Sequence, residues 1–285
     1  MSSIPRPAST VVLARPASSG FQIFLVRRHD NVAFMGGAHV FPGGRVDEAD
    51  YTADPERWCD GVSIAIDRMP TRQPAEAVAF HVAAVRELFE EAGVLLARDS
   101  GGIVSIDEGD DTRMAARRRE MLQQELTMRQ LADLEGVRPA LDALVSFAHW
   151  VTPDLETRRF DTQFFFAIAP DVQQAAHDEI ETTQGIWMYP EEAIERCRAG
   201  EIALPPPTWT TLRALSPFAS VDDARMWARS QSAPLVQPRI VERGDGTRVI
   251  MLPGDPLCPA VEGFTAQETR FLLENGRWRP VDSDE

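Results

Sequence analysis

The sequence predicts an α/β domain in which a mixed sheet is covered by helices. Apolar segments typical of strands occur in two groups, at residues 9–41 and 143–190. A strongly periodic helix, residues 75–93, lies between the two groups. The chain has 285 residues and is 44% hydrophobic, which suffices for a sizeable core. We therefore expect a layered domain in which helices and sheet bury each other's apolar faces.

Six apolar segments bounded by Gly, Pro or Asp are predicted to be strands. They cover residues 9–14, 21–28, 38–41, 143–153, 158–170 and 179–190. Residues 45–74 show no sustained hydrophobic period and are predicted to be a long loop with at most one helical turn.

Further helices are predicted from composition and from their terminal residues. Residues 112–136 are rich in helix formers and end at Gly136. Residues 190–200 begin with acidic residues and end with Gly, as the helix dipole favours. From residue 205, proline-punctuated helices and a Gly-Asp-Gly hairpin predict a helical and hairpin C-terminal extension, 205–285, packed on a domain of residues 1–204.

The composition excludes several classes of partner. The net charge is -15, from 44 acidic and 29 basic residues, which argues against nucleic acid and anionic membranes as partners. The apolar runs are too short to span a bilayer, and the N-terminus lacks the apolar core of a signal peptide. Three well-separated cysteines indicate neither a disulfide framework nor a zinc site. We expect a cytoplasmic protein.

The helix at residues 75–93 places its acidic residues on one face. With about 100° per residue, a narrow apolar stripe faces the core. The stripe consists of Val78, Val82, Val85, Phe89 and Ala92. Glu87, Glu90 and Glu91 fall on the opposite face. The predicted helix therefore separates an apolar face from an acidic one.

The acidic face has two interpretations. Like charges one turn apart, such as Glu87 and Glu91, destabilise a helix by about 0.2–0.5 kcal/mol. A divalent cation would convert this repulsion into attraction, and hard carboxylate oxygens suit Mg²⁺ or Mn²⁺. Alternatively, the glutamates form the solvated face of an amphipathic helix. The FPGG turn ending at Gly44 and the helix end at Gly93 favour the metal site.

These residues resemble the box motif of the Nudix hydrolases. RELFEEAGV, residues 86–94, fits every defined position of its second half, and FPGG resembles its first half. Gly44 and Arg86 lie 42 positions apart where the motif has 14, so 28 residues are additional. Counted back from Arg86, the motif's early glutamate falls on Val78, and Glu76 is a nearby candidate to replace it.

The interrupted box resembles the coenzyme A diphosphatase branch of that family. Further similar stretches are residues 34–50, 149–167, 204–209 and 252–255, so the resemblance covers most of residues 9–258. It implies a Nudix-type α/β/α sandwich with an insertion at about 45–77. The extension is expected either to cap the substrate site or to form a homodimer contact.

The resemblance also implies metal ligands. Glu87 and Glu91 are the first candidates for binding Mg²⁺ or Mn²⁺, and Glu90 is a third ligand or the base. Gly44, together with Gly43, would let a backbone carbonyl approach the metal because no side chain intervenes.

The implied reaction is hydrolysis of a nucleoside diphosphate linked to another moiety. Arg86 is expected to orient Glu90 or another box carboxylate, and Glu179 or Glu181 is a candidate general base from a later loop. The first substrate candidate is coenzyme A or acyl-coenzyme A, cleaved to 3',5'-ADP and (acyl-)4'-phosphopantetheine. The alternatives are an ADP-ribose or NADH pyrophosphatase and a non-catalytic nucleotide-binding module.

Two groups of residues are further candidates for substrate contact. Phosphates would meet arginines, whose alternative is surface ion pairing: Arg27, Arg28, Arg158 and Arg159. Adenine would stack on tryptophans, whose alternative is the core or its rim: Trp150, Trp187 and Trp209.

Overall fold

The computed structural model describes residues 3–29, 36–104, 108–171, 173, 175 and 182–282. Seven α-helices occur within these ranges. They are α1 (Val62–Asp67), α2 (Pro74–Ala92), α3 (Glu108–Leu122), α4 (Met128–Glu135), α5 (Pro190–Arg198), α6 (Pro206–Leu215) and α7 (Val221–Ser230). None of these helices is long and apolar enough to cross a membrane.

The same ranges contain fifteen strands. They are β1 (Arg6–Ala17), β2 (Gly20–Arg28), β3 (His39–Val40), β4 (Gly43–Arg45), β5 (Ala97–Asp99), β6 (Gly102–Ile103), β7 (Arg138–Pro139), β8 (Val145–Val151), β9 (Phe160–Ile168), β10 (Thr182–Met188), β11 (Leu235–Val236), β12 (Arg239–Glu242), β13 (Arg248–Met251), β14 (Arg270–Glu274) and β15 (Arg277–Val281).

The central sheet is mixed, as predicted. Its strand order is β10-β2-β1-β9-β8-β11, with β3 added beside β2 and β4 beside β1. The β1–β9 and β8–β11 pairs are parallel and the other pairs are antiparallel. Among the described strands, β12 to β15 form a separate antiparallel sheet in the extension. The predicted α/β class is confirmed.

Each face of the central sheet has its own hydrophobic core. Successive side chains of a strand point to opposite faces, so Val11 and Leu13 of β1 pack with α2, whereas Val12 and Ala14 pack with α5, α6 and α7. The apolar stripe predicted on α2 is buried, with Val78 only 3% exposed. The sheet therefore lies between two helical layers, which is the predicted α/β/α sandwich.

Two local predictions were wrong. Residues 112–136 form two helices, because the chain leaves the helical conformation after α3, where Gln124 has φ 59°. Thr127 then caps α4 through a reciprocal capping box with Gln130. Residues 45–74 are more ordered than predicted: they contain α1 and two 3₁₀ turns, Glu48–Asp50 and Pro55–Arg57.

An ion cluster connects Arg72, which lies just before α2, to strands β8 and β9 of the central sheet. Nη2 of Arg72 and Nε2 of His149 each lie 2.5 Å from Oδ1 of Asp161. Burial alone would raise the pKa of Asp161, but hydrogen bonds from His149 and Arg72 outweigh it and lower the pKa from 3.8 to about 2. The ionised carboxylate therefore stabilises the folded state.

We predict that Asp161→Asn lowers the free energy of unfolding by about 2 kcal/mol at neutral pH. Because the folded-state pKa is depressed, the contribution is present above the unfolded value and is lost as the pH falls from about 5 to about 2. Urea denaturation of wild type and variant across this range should show the two stabilities converging as the pH falls.

The control is Asp133→Asn, which removes an exposed pair with Arg129 within α4. Such surface pairs contribute little, so the free energy of unfolding should change by less than about 0.5 kcal/mol. Equal losses in both variants would contradict a special role for Asp161.

Candidate active site

Helix α2 delivers the three glutamates to one wall of a cavity. The helix ends where Gly93 adopts a left-handed conformation, φ 69°, and donates its N–H to the carbonyl of Phe89. Glu87, Glu90 and Glu91 all line the cavity. The three glutamates near the end of α2 therefore face this cavity and not bulk water.

Burial excludes the solvated-face interpretation. Glu91 is 8% exposed, and the side chains of Glu87 and Glu90 are 12% and 13% exposed. Burial raises the pKa of Glu87 to about 8, although the charge of Arg86 opposes this shift. The pKa of Glu90 is also raised, again by burial and against Arg86. The cluster is thus an acidic site that favours additional positive charge.

The guanidinium of Arg86 binds Asp50, Glu87 and Glu90 together. Its Nη1 donates to Oε1 of Glu87 at 2.8 Å and to Oε2 of Glu90 at 2.9 Å. Its Nε and Nη2 donate to the two carboxylate oxygens of Asp50, each at 2.9 Å. Nη2 also donates to the carbonyl of Arg45 at 2.7 Å. One guanidinium therefore connects α2 to β4 and to the 3₁₀ turn that contains Asp50.

Asp50 is the residue of the Arg86 cluster that the sequence prediction missed. It is 1% exposed, and its ion pair with Arg86 joins residues 36 positions apart. Counting the motif forward from Gly44, instead of backward from Arg86, places its early acid at position 50, where Asp stands for Glu. Val78 belongs to the core, so the 28 additional residues lie between Asp50 and Arg86 and include the first part of α2.

Glu76, the other candidate for the early acid, lies at the opposite end of α2. Its Oε2 accepts the backbone N–H of Gln73 and so caps the first turn of the helix. Eleven residues separate it from Glu87, about 16 Å along the helix axis. Glu76 therefore stabilises the start of α2 and does not join the cluster.

The glycines of β4 allow the strand to contact α2 closely. The N–H of Gly43 donates to Oε2 of Glu91 at 2.8 Å. A Cβ on Gly43 would collide with the backbone of Ser9 and Thr10 on β1, and a Cβ on Gly44 would lie 2.5 Å from Oε1 of Glu87. Glycine at position 43 therefore allows β4 to pair closely with β1, and glycine at position 44 allows the carboxylate of Glu87 to lie against β4.

The cavity has a volume of about 800 Å³. Besides the glutamates, its lining includes charged residues of β2, β4 and the segment before β9, and residues around the break between α3 and α4, among them Met121 and Gln124. The C-terminal extension also contributes to the lining, through Ile240, Ile250 and Trp278. Of the two roles expected for the extension, its position matches that of a cap on the site.

The structure separates the predicted arginine candidates. Arg28 and Arg158 line the cavity, and Nε of Arg28 is buried without a hydrogen-bond partner among the described residues. Arg27 is not part of the lining. Arg159 is buried and forms an ion pair with Asp154 at 2.7 Å. Within each pair, one arginine is therefore available to an anionic ligand of the cavity.

The other candidates also differ in position. Trp150 contributes to the lining of the cavity. Trp209 is 1% exposed in the core, and Trp187 packs on Phe24 with its ring 4.3 Å from the guanidinium carbon of Arg15. The two candidate general bases at positions 179 and 181, Glu179 and Glu181, lie outside the described residues.

The family of the chain follows from sequence comparison. A family profile described as the NUDT19 Nudix domain matches residues 65–215, which include α2 and its glutamates. The chain belongs to this Nudix family. The Nudix resemblance seen in the box motif is thereby confirmed.

Relatives match nearly the whole chain. The human acyl-coenzyme A diphosphatase NUDT19 is 33% identical over 95% of this chain and 83% of its own length. The protein of the same name from Xenopus laevis is 26% identical over 90% and 77%. A solved Nudix hydrolase from Alicyclobacillus acidocaldarius has a TM-score of 0.61, covers 79% of this chain and 96% of its own, and shares the fold at 24% identity.

Nudix hydrolases generally need a divalent metal ion, and the donors of this site fit one. The acids offer hard oxygen ligands, and Gly44, which has no Cβ, lets the carboxylate of Glu87 lie against the backbone of β4. Among the described residues, however, no three acidic, His or Cys side chains converge as a complete metal cage. Arg86 holds the carboxylates of Glu87 and Glu90 on the wall of the same cavity.

We predict that Gly44→Ala displaces the carboxylate of Glu87 and weakens divalent-metal binding at least tenfold. The clash is with the end of a flexible side chain, so the fold should persist. Calorimetric titration with Mn²⁺ and thermal unfolding of the same samples measure the two effects.

Gly244→Ala is the matched control, since a Cβ there would contact nothing within 4 Å. Its metal affinity should equal that of wild type. An unchanged affinity in Gly44→Ala would show that the close approach of the Glu87 carboxylate to Gly44 is not needed for metal binding.

Proposed function

We propose that the protein hydrolyses coenzyme A or acyl-coenzyme A to 3',5'-ADP and (acyl-)4'-phosphopantetheine. The observation that carries this proposal is the position of the buried glutamate cluster on the wall of an 800 Å³ cavity, which offers far more room than a diphosphate needs. The names of the human and Xenopus relatives supply the substrate class.

The metal in this proposal is Mg²⁺ or Mn²⁺. Glu87 and Glu91, one helical turn apart, are its ligands, and the carbonyl of Gly44 is a further one. Glu90 is a third ligand or the base. When bound, the ion supplies positive charge to the diphosphate and increases the acidity of the attacking water.

The other roles in the hydrolysis are assigned to side chains of the protein. Water attacks one phosphorus and the P–O bond of the anhydride breaks, so that each product leaves with its own phosphate. Glu90 is the proposed acceptor of the proton of the water, and burial raises its pKa above the usual value. Arg86 positions Glu87 and Glu90 through its two Nη1 hydrogen bonds. Glu181 remains the second proposed base.

A substrate panel tests the proposal. Purified protein is incubated with Mg²⁺ or Mn²⁺ and with coenzyme A, acetyl-coenzyme A, ADP-ribose or NADH, and the products are identified by mass spectrometry. Release of 3',5'-ADP from the coenzyme A substrates supports the proposal. Faster cleavage of ADP-ribose or NADH would replace it with the alternative pyrophosphatase, and binding without any cleavage would indicate a non-catalytic module.

We predict that Glu91→Gln lowers kcat by at least about a hundredfold, the loss typical when one strong electrostatic contributor to catalysis is removed. The fold should be retained because the amide oxygen can still accept the N–H of Gly43. Steady-state kinetics and thermal unfolding are the measurements.

Glu76→Gln is the control for this change, since it alters a glutamate of the same helix about 22 Å away along the axis. Its kcat should stay within twofold of wild type. A near-normal kcat in Glu91→Gln would remove Glu91 from the proposed ligands.

Arg28 is proposed to contact the diphosphate, since among the described residues its buried Nε has no hydrogen-bond partner, and the same cavity holds the glutamates. We predict that Arg28→Ala lowers kcat/KM about tenfold to a hundredfold, as expected for the loss of a charge-assisted hydrogen bond. Steady-state kinetics with coenzyme A measure the effect.

Arg27→Ala provides the comparison, because neighbouring residues of a strand face opposite sides and Arg27 is not in the cavity lining. Its kcat/KM should remain within about threefold of wild type. Equal losses in the two variants would mean that Arg28 acts only through general surface charge.

A further inference from the structure

The charged residues of the cavity wall are confined to one part of the chain. Among the described residues, each charged residue of the lining precedes residue 205, from Arg28 on β2 to Arg158 before β9. Within the described ranges, the extension contributes Thr208 and the apolar residues 205–207, Pro238, Ile240, Ile250 and Trp278. The cavity therefore has a mixed wall before residue 205, which carries the charges, and a wall from the extension that is apolar except for Thr208.

The apolar part is rigidly supported. Ile240 on β12 and Ile250 on β13 are direct partners in the antiparallel pair and are 8% and 6% exposed. Both belong to the hydrophobic core that also contains Phe164 of the central sheet. Trp278 on β15 packs against the same core. This wall is consequently a continuation of the core and keeps its shape without a ligand.

We propose that this extension wall, formed by residues 205–207, Pro238, Ile240, Ile250 and Trp278, binds the acyl chain of an acyl-coenzyme A and sets the preference for chain length. The inference rests on the proposed function, since it places the diphosphate of the substrate at the glutamates. An acyl chain is joined to the diphosphate through the pantetheine arm, so one molecule presents an anionic segment and an apolar end to the two parts of the cavity.

Adenine is the other apolar group that such a substrate carries. A purine site normally supplies polar groups for the edge of the base as well as an apolar surface for its face. Among the described residues, Thr208 is the polar side chain that the extension adds to the lining. The rest of the wall is mainly aliphatic, which suits methylene groups better than a ring with hydrogen-bonding edges.

The test compares two substrates that differ only in their acyl chain. Dissociation constants of acetyl-coenzyme A and dodecanoyl-coenzyme A are measured by calorimetry without divalent metal, and kcat/KM is measured with metal. Dodecanoyl-coenzyme A should bind wild type at least about tenfold more tightly. In Trp278→Ala the ratio of the two dissociation constants should fall about fivefold to tenfold, because a tryptophan supplies a large apolar contact area.

Two further variants keep the result interpretable. Trp278→Phe should recover most of the ratio, since it restores an apolar ring. Trp227→Ala removes a half-buried tryptophan of the same extension that packs against the same core but lies outside this cavity lining, and its ratio should equal that of wild type. Thermal unfolding of each variant separates loss of the fold from loss of the contact.

The outcomes distinguish the chain-length inference from the proposed function. A ratio unchanged in folded Trp278→Ala overturns the inference even if coenzyme A is cleaved. An equal loss of affinity for both substrates also overturns it and favours adenine on the wall. If wild type cleaves neither substrate but the ratio of dissociation constants falls as expected, the proposed function fails and the apolar subsite stands.

Discussion

The guanidinium of Arg86 is the contact on which the site depends. Asp50 accepts hydrogen bonds from its Nε and Nη2, and Glu87 and Glu90 both accept from its Nη1. Nη2 also donates to a backbone carbonyl of β4. Burial alone would lower the pKa of Arg86, but the hydrogen bond with Asp50 and the charges of Glu87 raise it, so the group stays ionised. Removing one partner of such a buried pair typically costs about 3–5 kcal/mol. The interaction therefore fixes both the fold around α2 and the spacing of the acids.

The site remains short of positive charge despite this contact. One guanidinium interacts with several carboxylates that are largely buried. The pKa values of Glu87 and Glu90 are raised because burial disfavours their charged forms. A protein selected for stability alone would replace some of these acids. Their presence is consistent with a protein that completes its charge balance only when a cation and an anionic substrate bind.

Local features of the site were predictable, whereas features that depend on distant parts of the chain were not. Helical periodicity alone places Val78 in the core and groups Glu87, Glu90 and Glu91. The break at Gln124 escaped prediction because good helix formers continue through it. Asp50 was not predicted because the motif's early acid was located by counting back from Arg86, across the insertion. The wall around Ile240 and Trp278 could not be predicted, since it depends on how the extension packs on the central sheet.

The ion pair between Asp50 and Arg86 also explains how a signature motif tolerates interruption. The pair clamps both ends of the intervening segment, so the geometry of the site does not depend on the contour length between them. Closing a longer flexible loop costs only about 0.6 kcal/mol for each doubling of its length. The length of this segment can therefore vary among family members, and its outer surface can acquire other roles, without a change in the geometry of the site.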